Sequence, residues 1–151
     1  MVPVTEGVDL AQLSTAPNPC TATGWDSPAL LALEAGYDWI VADTGTGFDA
    51  RSLAAARTAD DVLLLVAPEL PAVADGYATL KALRMFRPDL RVGCVVNMAE
   101  SAEEAGGIHE GLLDLSRSFL GAEIDNLGYI PFNRAVRTAA KGQTPFVIAF
   151  P

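Results

Sequence analysis

The first fifty residues of this chain contain no lysine or arginine, although they carry seven acids. The remainder sets twelve acids against ten bases, which brings the net charge to −9. That balance argues against a generally basic nucleic-acid surface. It also means that the N-terminal third repels phosphates unless a metal ion or a basic partner intervenes. Histidine occurs once. His109 stands beside Glu110 with no second ligand at metal spacing, and reads as surface or core decoration. Cys20 lies in a Pro/Thr-rich stretch and Cys94 in an apolar run, a separation that suggests neither a disulfide framework nor a metal site. No apolar run reaches the length of a membrane span, and no charged start precedes an apolar core as in a secretory leader. A reduced, cytoplasmic protein is the expectation.

What is present is organised around residues 37–47, Tyr-Asp-Trp-Ile-Val-Ala-Asp-Thr-Gly-Thr-Gly. Apolar residues run from Trp39 to Ala42, stop at the Asp43 carboxylate and give way to Gly45 and Gly47. An alanine-rich, helix-compatible segment then spans 48–59. This predicts a buried parallel strand handing its carboxyl end to a loop and a helix. Ligands of doubly wound domains sit at that end, so Asp43 is a candidate for meeting a metal ion or a phosphate. The local pattern equally suits a helix N-cap or turn aspartate.

In chain order, residues 1–28 form an acidic, loop-rich segment with one short candidate strand at 8–13. A short helix opens at Ser27-Pro28 and runs through Glu34, stopped by Gly36. The run 62–67 is predicted as a strand buried on both faces. Over 73–87 the spacing predicts a helix whose broad face includes Val73, Tyr77, Leu80, Leu83 and Met85, with Lys81 and Arg84 facing water. A third strand covers 91–97. A long helix over 100–120 is read as interrupted at Gly106-Gly107, with Ile108, Leu112, Leu115 and Phe119 as its buried stripe. A last strand at 126–131, a short helix at 134–141 and an apolar tail complete the chain. Strand–helix alternation repeated this regularly means α/β architecture, a parallel sheet covered by helices. Residues 29–151 show no internal linker or repeat.

Four ordered runs, YDWIVADTGTG, APELPAVADGYATLKAL, VGCVVNMAESAEEA and FLGAEIDNLGYIPFNRAVRTAAKGQTPFV, carry a family likeness. Together they resemble the MinD/ParA family of P-loop ATPases, and within it the MinD-like regulators of flagellum number and placement (the FlhG/YlxH type). The likeness extends over residues 37–150. It implies a three-layer, mostly parallel sheet with helices on both faces, and a site for ATP and Mg2+. Asp43 matches the aspartate that opens the second switch and holds magnesium through water, with Thr44 and Gly45 beside it. Gly47 matches the glycine whose backbone N–H senses the γ-phosphate. Asn97 matches the asparagine that reads the adenine edge, and Pro131 and Phe132 match the loop against the base. The chemistry agrees, since a carboxylate suits a hard cation and an amide both gives and accepts at a base edge. Asn97 also suits a plain turn, and Tyr129 and Phe132 also suit packing.

The resemblance further implies a homodimer. It also implies a partner surface on the helix after Pro68-Glu69, with Asp75, Tyr77 and Lys81 facing a flagellar assembly protein or a flagellar GTPase; those three also fit a solvated face. Two features depart from the family. Both lysines, Lys81 and Lys141, lie outside any loop of the type G-x-x-x-x-G-K-[ST], and residues 1–36 carry no match to the first switch. Asn133 stands where relatives often have aspartate. Phosphoryl transfer rests on positioning and charge neutralisation. The expectation is therefore a C-terminal part of such an ATPase, truncated or nucleotide-blind, that does not hydrolyse ATP alone. Two alternatives remain open: a non-enzymatic dimerisation and partner-binding module, and a pilus or chromosome-partitioning relative. Arg134, Arg137 and Lys141 share a helix face that suits a small anionic site or a solvated surface, and stable membrane binding is not expected. An orphaned sheet edge predicts poor solubility or dimerisation.

Overall fold

A computed structural model of the chain describes residues 2–5, 8–10, 32–45 and 49–150. The chain divides into two compact units, Met1–Ala59 and Asp60–Pro151.

In the first unit, strands β1 (Val2–Thr5) and β2 (Val8–Leu10) pair antiparallel, Val2 opposite Leu10. The candidate strand at 8–13 thus finds its partner in residues that the composition left unassigned, and its positions 11–13 lie outside the described residues. Residues 32–34 are helical and the Gly36 N–H closes the turn on the Leu33 carbonyl oxygen at 2.9 Å. The earlier part of that predicted helix lies outside the described residues. The Tyr37 hydroxyl donates to the Asp9 carboxylate, which ties the next segment to β2 and raises the phenol pKa.

The strand predicted over 39–42 does not form. Residues 39–45 join no ladder, and Trp39 and Val41 are 85% and 89% exposed. An apolar run becomes a strand only where a neighbouring backbone takes up its N–H and C=O groups. Helix α1 (Ala50–Thr58) follows, close to its predicted bounds.

The second unit contains a three-stranded parallel sheet in the order β3 (Asp61–Val66), β4 (Arg91–Ala99), β5 (Asp125–Pro131). Helices α2 (Leu70–Phe86) and α3 (Ala102–Leu120) are the crossovers; they pack on each other and on one face of the sheet. The expected α/β class with a parallel sheet holds. The core between the layers holds Leu64, Val66, Val92, Cys94, Val96, Leu80, Leu83 and Leu112.

Several local expectations are corrected by that packing. β3 is buried on one face only, because Leu63 and Leu65 point away from the helices and are each 55% exposed. Met85 leaves the predicted face of α2. Helix α3 runs unbroken through Gly106-Gly107, although two interior glycines cost roughly 2 kcal/mol in propensity. Its caps help to offset this. The Ser101 side chain accepts the Glu104 N–H at 3.1 Å, and Gly121 closes the helix at φ 62°, where a Cβ would be strained. The buried stripe of α3 is Ala105, His109, Leu112 and Ser116, while Leu115 and Phe119 turn outward. Small side chains let this helix approach the sheet closely, and a count of large apolar residues does not register that. Helices α4 (Arg134–Lys141) and α5 (Phe146–Ala149) end the chain, the latter in the predicted tail.

Candidate functional site

The carboxyl ends of β4 and β5 are held in register. Asn97 pairs with Ile130 and Ala99 with Pro131, and the Phe132 N–H donates to the Ala99 carbonyl oxygen at 2.9 Å. Asn97, Pro131 and Phe132 therefore meet at one edge of the sheet. The β4 strand continues two residues past Asn97, so this residue is not a turn. It is half-buried on the face without helices, and its amide makes no hydrogen bond among the described residues. Between Asn97 and Ala99 the register slips, and Met98 adopts φ 64°. A non-glycine residue in that region costs of order 1–2 kcal/mol, and such outliers gather where backbone is held for a purpose.

Past the edge, Phe132, Asn133, Arg134 and Arg137 line a concavity of ≈ 470 Å³, within the range of small-molecule clefts. Asn133 has a structural role: its Oδ1 accepts the Ala135 N–H at 2.8 Å and caps α4. Phe132 is exposed, and so is Tyr129.

In the first unit the exposed Asp43 accepts the Gly45 N–H on Oδ1 at 2.9 Å, with Gly45 at φ 76°. This is the turn arrangement; it leaves Oδ2 with no hydrogen bond among the described residues. The residue that caps α1 is Asp49, whose Oδ1 accepts the Ser52 N–H at 2.9 Å. Thr44 is exposed, and Gly47 lies outside the described residues. Among the described residues no three His, Cys, Asp or Glu side chains gather to hold a metal ion. On α2, Asp75 and Lys81 are exposed and Tyr77 is half-buried. Helical spacing sets Tyr77 and Lys81 on one side and Asp75 across the helix, so the three do not form one stripe.

No family model matches the chain. Among curated proteins, the antiactivator FleN of Pseudomonas aeruginosa is 32% identical over 114 residues, which are 76% of this chain and 41% of FleN. The flagellum site-determining protein YlxH of Helicobacter pylori is 29% identical over 94 residues, 62% of this chain and 31% of YlxH. Over these stretches the chain is similar to MinD-type flagellum regulators. It spans less than half the length of either curated relative.

Three features of this chain were missed or left open by its sequence. Arg84, expected in water, donates to the carbonyl oxygens of Pro88, Leu90 and Glu123 at 2.8, 2.7 and 2.9 Å. His109 is core rather than surface, and its Nε2 has no hydrogen-bond partner among the described residues. The buried Ser116 hydroxyl donates to the Ala122 carbonyl oxygen at 2.9 Å. The polar stripe His109–Ser116 could have been found by scoring small residues as core-forming; the Arg84 contacts have no sequence signal. A second concavity, ≈ 420 Å³, lies at the amino edge between Arg84, Arg91, Glu123 and Asp125. Its charges are largely spent: Arg91 pairs with Asp61 at 2.9 Å, and Arg117 binds Glu123 through two hydrogen bonds at 2.9 and 2.8 Å.

Proposed function

We propose that this chain regulates flagellum number or placement as a MinD-type protein, acting in the cytoplasm. In this reading the carboxyl edge of its sheet forms the base-facing part of a nucleotide site. The observation that carries the reading is the register of β4 and β5, which brings the unpartnered Asn97 amide beside Pro131 and Phe132. An amide at that edge can give to and accept from a purine, and an exposed aromatic ring can stack on it. By the family likeness, Asp43 would hold magnesium through water, with Thr44 and Gly45 beside it, and the Gly47 N–H would meet the γ-phosphate.

The residues suit the phosphate end less well. Only two lysines occur and neither follows a glycine-rich loop, so nothing supplies the N–H cradle and cation that a triphosphate needs. The proposed chain therefore does not hydrolyse ATP by itself. Turnover of magnesium-ATP by the purified chain would refute that part. Titration with a fluorescent ATP analogue tests the base-facing part, and loss of binding in Asn97→Ala is the expected result. An Asn97→Ala chain that binds the analogue as the parent does would remove the site.

A second reading treats the chain as a non-enzymatic, dimerising partner module. The exposed Lys81 beside the half-buried Tyr77 on α2 favours it, and a flagellar assembly protein or flagellar GTPase is the expected class of partner. Binding without nucleotide, abolished by Lys81→Glu, would select this reading. Nucleotide-dependent binding would select the first. Similarity to the antiactivator FleN and to the flagellum site-determining protein YlxH favours a flagellar function over a pilus or partitioning one.

A further inference from the structure

We propose that the basic face of α4 is a docking site for an acidic polypeptide segment of a partner protein. Arg134, Arg137 and Lys141 fall within one narrow arc of the helix, while Ala139 on the opposite side is buried. None of the three cations makes a hydrogen bond or ion pair with another described residue. The other four arginines of the same unit are occupied: Arg84 on carbonyl groups, Arg87 on Asp89, Arg91 on Asp61 and Arg117 on Glu123. From Asn126 to Pro151 the chain has no acid at all, so this segment carries a charge of +3 within a protein of −9.

Arg134 and Arg137 also line the ≈ 470 Å³ concavity, together with the exposed Phe132 and Asn133. Paired guanidinium groups match carboxylates through forked hydrogen bonds. The exposed ring of Phe132, which lines the same concavity, offers an apolar side chain somewhere to rest. An acidic peptide carrying an apolar or aromatic residue between its carboxylates therefore fits better than a bare anion. A membrane surface or a nucleic acid fits less well. Three cations supply little attraction to a surface of many phosphates.

The test uses the full chain in nucleotide-free buffer, so its outcome is independent of the nucleotide site. The probe is a short fluorescein-labelled Glu/Asp peptide with one central tryptophan, read by fluorescence anisotropy. Binding is expected at low salt, weakening steeply toward about 0.3 M as exposed charges are screened. Arg134→Gln with Arg137→Gln should lower the affinity by about tenfold, the scale of losing two charge-assisted contacts. Arg91→Gln with Arg117→Gln removes the same charge elsewhere and should stay within about twofold. A Gln/Asn version of the peptide should not bind. The proposal is overturned if the parent chain does not bind the probe, or if the two double variants behave alike. It is also overturned if inorganic phosphate displaces the probe at equal concentration, or if vesicles rich in anionic lipid capture the chain through Arg134 and Arg137 while the peptide does not.

Discussion

The guanidinium of Arg84, in the last turn of α2, donates to the carbonyl oxygen of Glu123, 39 residues along the chain, at 2.9 Å. The same group holds the carbonyls of Pro88 and Leu90, so one side chain ties α2 to the loops that enter β4 and β5. Replacing it with Met keeps the stem but leaves these acceptors to water or to nothing. Hydrogen bonds to a charged donor contribute roughly 1.5–3 kcal/mol, so Arg84→Met should lose about 2 kcal/mol in urea unfolding. Arg84→Lys should recover only a fraction, since an ammonium cannot span the same fork.

Met98 holds φ 64° at the bulge beside Asn97 and is exposed. Glycine there relieves the Cβ conflict and gives up little buried surface. Met98→Gly should therefore raise stability by up to about 1 kcal/mol, the strain relief less the added chain entropy. A loss of stability instead would mean that the Met98 side chain packs more firmly than its exposure indicates. If the strain positions Asn97, nucleotide-analogue affinity should fall while stability rises.

Arg117 donates two hydrogen bonds to Glu123 and holds that carboxyl below its ordinary value near 4.5. The folded chain then binds this proton more weakly than the unfolded chain. Its contribution to stability is complete above the ordinary carboxylate range and is lost as pH falls through the depressed folded value. Both partners are exposed, so the effect is small and screened by salt. The urea midpoint should drop more steeply below pH 4.5 in the parent than in Arg117→Gln, and high salt should narrow the gap.

Leu63 and Leu65 stand exposed on β3, which pairs on one side only among the described residues. Parallel strands with an uncovered apolar face and a free edge invite association. The chain should elute above its monomer mass or precipitate on concentration. Leu63→Lys with Leu65→Lys should shift it toward monomer in size-exclusion chromatography without altering its circular dichroism. A parent chain that stays monomeric would show that this face needs no cover.

The strand–helix order from Asp61 onward could be read from the chain because it depends on local patterns. Apolar runs such as 62–66 have nowhere to go but a sheet, and Pro71, Ser101 and Gly121 mark helix ends by their own backbone chemistry. The pairing of Asn97 with the Pro131 turn was reached through family likeness rather than periodicity, since a ladder joins residues far apart in sequence. The reading failed where a neighbour decides. Trp39–Ala42 has strand composition but joins no ladder among the described residues. Met85, Leu115 and Phe119 have core composition but face away from the layer interface.

By itself, then, the order of residues determined a parallel α/β unit, a strongly acidic first third and a basic helix α4, all from charge and short-range conformational preference. Only the folded chain decided which face of each element is covered, that Arg84 is a tie rather than a surface charge, and that Met98 is strained beside an unpartnered amide. Those outcomes depend on contacts between distant segments, and no local preference encodes them.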